Sequence, residues 1–248
     1  MIDRETAGNV VVLRLHHGKV NALDTELLQA LDDHLVALEE EPWRAVVLTG
    51  EGRAFSAGLD LQRIVDGGAE YVRSLLEVLT RLLLRLLRFP RPTVAAINGH
   101  AIAGGCILPC TCDARLMASS GGRIGVTELL VGVPFPTAAL EPVREVVDGR
   151  YLRRLVYESS LLSAEEALDA GLVDEVLPPD DLDRRSLELG ERLARIRPPV
   201  FAMTKRQLTA PLLERIERLT ALHESDAEEL WFGEEALDTI RRFVAENL

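Results

Sequence analysis

The chain has 248 residues, of which 47% are hydrophobic and 27% charged, an ordinary globular composition. Its 28 Lys and Arg against 40 Asp and Glu leave a net charge of −12, which argues against general binding of nucleic acid. The three cysteines, Cys106, Cys110 and Cys112, are odd in number and clustered; they fit neither a disulfide framework nor a common zinc spacing, and point to a reduced, cytoplasmic protein.

Asp3 and Glu5 and the lack of an early apolar stretch predict no secretory signal. Asn9–Leu15 reads as a short Val-rich strand. Asp24 or Thr25 is placed to cap a helix running to about Glu41, with Leu27, Leu28, Leu31, Leu35 and Leu38 on one face. Ala45–Thr49 is a continuous apolar run, as expected of a strand covered on both faces. A loop from Gly50 to Gly58 follows, then a helix over roughly Ala69 to Arg88 that Phe89-Pro90 stops. Glu77, Arg81 and Arg85 recur every four residues there and mark one polar face.

Thr93–Cys112 is twenty residues without a formal charge, but Gly99, Gly104, Gly105 and Pro109 punctuate it, so no membrane span is expected. Instead Thr93–Ile97 reads as a covered strand, Asn98-Gly99-His100 as a turn, and Gly104 as the start of a short helix. Ala114–Ala118 is a third covered strand and Arg123-Ile124 a candidate fourth. The alternation predicts an α/β core with largely parallel strands. Further on, Ser163-Ala164-Glu165-Glu166 is a capping box and Gly171 a helix end. Val173–Leu177 reads as a strand, and a helix covers about Asp180 to Ile196. From Val200 helices are expected, broken near Pro211 and Gly233. The division expected is an α/β core over residues 1–197 and a helical region over 198–248.

Several signatures fail. Gly99-x-x-x-x-Gly104 lacks the Lys-Ser/Thr of a phosphate loop, no Gly-x-Gly-x-x-Gly exists, and Ser56 lacks the first glycine of a nucleophile elbow. No His-Glu-x-x-His occurs, and no metal site is expected. Cys106 has no indicated base partner and reads better as a small buried hydrophobe than as a nucleophile.

Two glycine-bearing loops remain, Gly52–Leu61 and Ala96–Cys106, each joining a covered strand to something helical. Small residues there leave backbone N–H groups open to a ligand oxygen, and a helix starting at Gly104 adds its dipole. Tight turns with close packing explain the same residues equally well.

The run Phe55-Ser56-Ala57-Gly58-Leu59-Asp60-Leu61, then Asn98-Gly99, Ala103-Gly104-Gly105-Cys106 and Cys112-Asp113-Ala114-Arg115, resembles the crotonase (enoyl-CoA hydratase/isomerase) superfamily. Val20-Asn21-Ala22-Leu23, Ser163–Ala167 and Ala170–Asp174 fit the same order. The resemblance implies a spiral of ββα turns with a C-terminal helical region, which would pack at subunit contacts of a homotrimer or a dimer of trimers. The implied ligand is an acyl-CoA thioester, with coenzyme A part of the substrate and no separate cofactor. By position, the N–H groups of Ala57 and Gly104 would form an oxyanion hole. Ala57, Gly58, Leu59 and Asp60, with Val20, Asn21 and Ala22, would line the adenine end; Lys19, Arg53 and Lys205 are candidates for the CoA phosphates.

Hydratases of this family usually carry two glutamates. The place of one is Ile107 here; the other is retained in Ile124-Gly125-Val126-Thr127-Glu128. Read without the resemblance, Glu128 is simply an exposed acid at a helix start. One base suffices to move a double bond, whereas hydration needs a second group. The resemblance therefore implies a Δ3,Δ2-enoyl-CoA isomerase of fatty-acid β-oxidation, with Glu128 as acid and base. Ile107 and Phe135 would form apolar walls that raise its pKa. The alternatives are a hydratase using an atypical second acid, for which Glu141 is nearest in sequence, and an acyl-CoA-binding protein without catalysis.

Overall fold

The computed structural model describes residues 1–247; Leu248, the last residue of the expected helical region, lies outside them. In chain order the elements are β1 (Ile2–Ala7), β2 (Val10–Leu15), α1 (Thr25–Glu40), β3 (Ala45–Gly50), β4 (Ala54–Ser56), α2 (Leu61–Arg88), β5 (Thr93–Ile97), β6 (His100–Ile102) and α3 (Gly104–Cys110). There follow β7 (Ala114–Ala118), β8 (Ile124–Gly125), α4 (Glu128–Val131), α5 (Thr137–Val146), α6 (Gly149–Tyr157), α7 (Ala164–Asp169), β9 (Glu175–Leu177), α8 (Pro179–Ala194), α9 (Pro198–Phe232) and α10 (Glu234–Asn247).

Six strands form one sheet in the order β1-β2-β3-β5-β7-β9, parallel except for the β1–β2 hairpin. Its inner strands are apolar on both faces because both are covered. Leu13, Val46, Leu48, Ile97 and Met117 face a core shared with α1 and α2. Val10, Val47, Val94, Ala96 and Leu116 face the other way, onto Leu182 and Leu189 of α8. This is why the runs read as continuous rather than alternating.

A second sheet, β4-β6-β8, is parallel and very small. The chain passes from the large sheet to the small one and into a helix three times: β3-β4-α2, β5-β6-α3 and β7-β8-α4. These are the expected ββα turns. Because β4, β6 and β8 lie side by side, the residues leaving them emerge together. They are Ala57–Asp60, Ala103-Gly104 and Val126–Glu128.

Sequence periodicity misses some elements and misplaces others. Strands of two or three residues, such as β4, β6 and β8, show no alternation to detect. β1 is exposed along most of its length and carries no apolar face. Helix α2 starts at Leu61, where the Asp60 side chain caps it, and Gly68 (φ +62°) breaks it just before Ala69, the start expected from sequence. No break occurs at Pro211, which lies inside α9. An interior proline costs about 3 kcal/mol, and the neighbouring packing of Leu212 and Ile216 on Leu87 and Ala138 offsets it. Gly233 does end α9. The α9–α10 tail folds onto its own chain: Trp231, Ala236 and Ile240 join the main core. Among the described residues no helix is long and apolar enough to cross a membrane.

Candidate active site

Three chain segments build the site. The first, Ala57–Asp60, runs beside residues 20–23. Leu23 N–H donates to Gly58 O (2.8 Å) and Asp60 N–H to Leu23 O (3.0 Å). Ala57 N–H donates to Val20 O (3.0 Å), and Gly58 N–H to Ser56 Oγ (3.2 Å). Of the four amides of Ala57–Asp60 only that of Leu59 has no intramolecular partner among the described residues. The amide of Ala57, the donor expected from sequence, is thus engaged with Val20, and Leu59 carries the free amide of this segment. This follows from long-range pairing with residues 20–23, which sequence position alone does not contain.

The second segment carries Gly104, the first residue of α3. Its amide likewise has no intramolecular partner, while those of Cys106 and Ile107 both donate to Ala103 O. Ala103 holds φ +50°, a conformation rare outside glycine, and thereby turns the chain into α3. Gly58, at φ +87°, sits against this turn. A Cβ there would meet Ile102 O at 2.8 Å, Ala103 Cβ at 2.9 Å and Gly104 N at 3.2 Å. The Leu59 and Gly104 amides are therefore on neighbouring backbone. Two N–H groups without partners, one at a helix start, suit an oxygen that gains negative charge.

The third segment carries Glu128, the first residue of α4. It is 8% exposed, and its Oε2 is buried with no hydrogen-bond partner among the described residues. Burial pushes its pKa up to about 7; its own backbone amide and that of Thr127 oppose the shift only in part. Ile107 is buried on α3, and Phe135 is half-buried against the same core. Beside Glu128 lies Cys106, whose thiol is pushed well above its ordinary range by Cys110 and by burial. A thiol held protonated is a poor nucleophile, in keeping with its reading as a buried hydrophobe.

The remaining candidates separate clearly. Lys19 and Arg53 are exposed and have no ion-pair partner among the described residues. Val20 is exposed, Ala22 and Asp60 half-buried. Asn21 is buried at φ +51° and serves the loop itself: Nδ2 donates to Ala54 O (3.0 Å) and Phe55 O (3.2 Å), and Oδ1 accepts from His17 N–H (2.9 Å). Lys205 departs from expectation. It is 5% exposed and its Nζ lies 2.9 Å from Asp113 Oδ2, so it is not presented to a phosphate. Glu141 also departs: its carboxylate is held by Arg215 Nε (2.6 Å) and Arg144 Nε (2.9 Å). A groove of about 710 Å³ between α2 and α9 is lined by Arg73, Leu84, Arg88, Ala138, Glu224 and Phe232, and contains none of these candidates.

The chain is similar in sequence and fold to known proteins. The enoyl-CoA hydratase/isomerase family profile covers residues 5–236. A Thermus thermophilus protein, by name a candidate enoyl-CoA hydratase, is 41% identical over 190 residues, 74% of this chain and 72% of its own. The mitochondrial enoyl-CoA delta isomerase 1 of Rattus norvegicus is 32% identical over 189 residues, 75% of this chain and 65% of its own. The crystal structure of human mitochondrial delta3-delta2-enoyl-CoA isomerase superposes with a TM-score of 0.91 at 25% identity, covering 99% of this chain and 97% of that one. Family profile, curated relatives and superposed fold agree: the chain belongs to the enoyl-CoA hydratase/isomerase family.

Proposed function

We propose that the protein is a Δ3,Δ2-enoyl-CoA isomerase acting on acyl-CoA thioesters. The observation that carries this reading is the buried carboxylate of Glu128, whose Oε2 has no hydrogen-bond partner among the described residues, in a chain with Ile107 at the family's other acid position. As a carboxylate, Glu128 removes a proton from C2 of a 3-enoyl thioester. The electron pair delocalises into a dienolate, and Leu59 and Gly104 N–H groups bind its oxygen. Glu128 then returns the proton to C4 on the same face, and the double bond lies between C2 and C3. Atoms and charge balance with one residue, and the pKa of about 7 suits a group that must both take and return a proton near neutrality. Removing one such oxygen-binding donor typically costs ~2.7–4 kcal/mol of transition-state stabilisation.

Lys19 and Arg53 are the cations offered to the CoA phosphates, and Ile107 and Phe135 the apolar walls. Hydration would need a second acid, and Glu141 is occupied by two arginines. The helical tail also leaves Leu208 and Leu222 exposed, apolar surface that a homotrimeric or hexameric contact would cover. The test is a panel of 2-enoyl- and 3-enoyl-CoA thioesters of graded length, incubated in D2O and resolved by chromatography. Interconversion of the 2- and 3-enoyl isomers without 3-hydroxyacyl product is expected. Dominant hydroxyacyl product would replace isomerase by hydratase, and tight binding without turnover would leave a non-catalytic acyl-CoA binder.

A further inference from the structure

The segment that carries Glu128 cannot hold its own shape. Helix α4 has four residues, Glu128–Val131, and no side-chain cap at Thr127. A helix of one turn does not recover its nucleation cost in isolation, so its geometry must be imposed from outside. Internally it ends at Gly132, in the left-handed region at φ +83°, and Val133 N–H donates to Glu128 O (3.1 Å).

The outside hold comes from the tail. Trp231, the penultimate residue of α9, is 3% exposed, and its indole Nε1–H donates to Pro134 O at 2.9 Å. Thr239 of α10 lies on Gly132: a Cβ at Gly132 would stand 2.7 Å from Thr239 Cγ2. Thr239 is itself fixed by its Oγ1–H bond to Glu235 O (2.8 Å). Trp231, Ile240, Val131, Val133 and Ile107 share one core. The Glu128 backbone is thus tied through Val133 and Pro134 to a side chain nearly a hundred residues away.

We propose that Trp231 and Thr239 are positioning residues for Glu128: the tail, docked on Pro134 and Gly132, sets the aim of the acid and keeps water from it. This rests on the reading of Glu128 as the working acid. It adds a role to the tail that neither subunit packing nor general stability requires. The titratable group beside the carboxyl is the Cys106 thiol of α3; Glu235, Asp238 and Arg242 of α10 are exposed. Loosening the tail therefore changes chiefly the hydration of Glu128.

The experiment uses W231F, which keeps a ring and removes the indole donor. Three readouts are compared with the unmodified protein: hydrogen exchange of residues 128–133, the NMR titration of the labelled Glu128 carboxyl, and kcat with KM. Exchange is expected to quicken and the titration midpoint to fall from about 7 toward the ordinary carboxyl range. The kcat is expected to fall about 10- to 100-fold, the scale of a small misplacement of a reacting group. The KM should stay within about twofold, since the donors and cations are untouched. Unchanged exchange and midpoint in folded W231F overturn the proposal. Should W231F not fold, T239S decides by the same readouts: faster exchange supports the positioning role, wild-type exchange overturns it. The exchange and titration do not depend on turnover. If the unmodified protein isomerises nothing while W231F shifts both, the reaction assignment fails and the positioning stands.

Discussion

Glu128 at the start of α4 and Glu141 inside α5 are both buried, at 8% and 1% exposure, yet their surroundings are opposite. Glu141 is gripped by Arg215 and Arg144, and Arg215 reaches on to Glu145 (2.5 Å). It clips α9 to α5. Glu128 has, among the described residues, an oxygen with no partner and no cation beside it. Burying a carboxylate without a partner is costly, and the cost appears as a raised pKa. A pair that satisfies itself is architecture; a carboxylate left unsatisfied is available for a substrate proton.

The most direct way to break this contrast is to make both acids amides. Glu128→Gln keeps size and removes the base, and should lower isomerase kcat by about 10²–10⁴-fold, the usual worth of a positioned acid-base group. Glu141→Gln should leave kcat and its pH midpoint in place. Steady-state kinetics of the two variants side by side check both. Comparable losses in the two would erase the distinction.

How much of that distinction was legible in the sequence depends on the range of the interactions. The covered strands β3, β5 and β7 and the Ser163 capping box were readable because local pattern determines them. The motifs point to Glu128 and Gly104, which lie just beyond the neighbouring strands β8 and β6. The free amide of Leu59 is not legible, since the partner of Ala57 N–H is Val20 O, reached only after folding. Nor were the fates of Lys205 and Glu141, whose partners Asp113 and Arg215 lie far along the chain. The Trp231–Pro134 tie belongs with them. Long-range polar pairing decides which charged side chains remain for function, and no local window contains it.

Stability against pH sharpens the contrast from the Glu128 side. Its folded pKa of about 7 stands above the ordinary 4.5, so the folded state favours the neutral form. Below about pH 4.5 the group is neutral folded or unfolded and costs nothing. As pH rises from 4.5 to 7 the unfolded chain loses the proton first and stability falls. Above 7 the full cost holds, about 3 kcal/mol. Glu128→Gln should therefore be the more stable protein at pH 8, by up to that amount, with the gap closing in acid. Denaturant titrations at pH 5 and pH 8 check this. A gap independent of pH would mean that Glu128 titrates normally.

From the Glu141 side the expected sign is reversed. Glu141→Gln leaves Arg215 and Arg144 without their shared partner. A broken buried pair can cost ~3–5 kcal/mol, but both guanidinium groups are partly exposed and water compensates them. About 1–2 kcal/mol of destabilisation is expected after that discount, or roughly 2–4 °C of Tm per kcal/mol for a chain of this size. Thermal unfolding at pH 8 should place Glu141→Gln below the unmodified protein and Glu128→Gln above it. The same order for both would show that burial alone, and not pairing, governs these two acids.

The same rule extends to cations, where the effect is smallest. Lys205 is buried on Asp113, whose Oδ2 also accepts from Thr93 N–H (2.8 Å) and Thr93 Oγ1–H (2.9 Å). Lys205→Met therefore leaves Asp113 with two donors, and the stability loss should be within about 1 kcal/mol. The ammonium is turned away from solvent, so the KM for a CoA thioester should not change. Arg53 and Lys19 are exposed and unpaired among the described residues. Arg53→Ala and Lys19→Ala should each raise KM by roughly 1.4- to fivefold, the range of an exposed ion pair worth about 0.2–1 kcal/mol. That rise should shrink with added salt, since exposed charges are screened over about 10 Å at 0.1 M. The KM of Lys205→Met measured at low and high salt is the deciding number. If it rises with the other two and shows their salt dependence, Lys205 leaves Asp113 when ligand binds, and burial in the unliganded protein does not by itself mark a charge as structural.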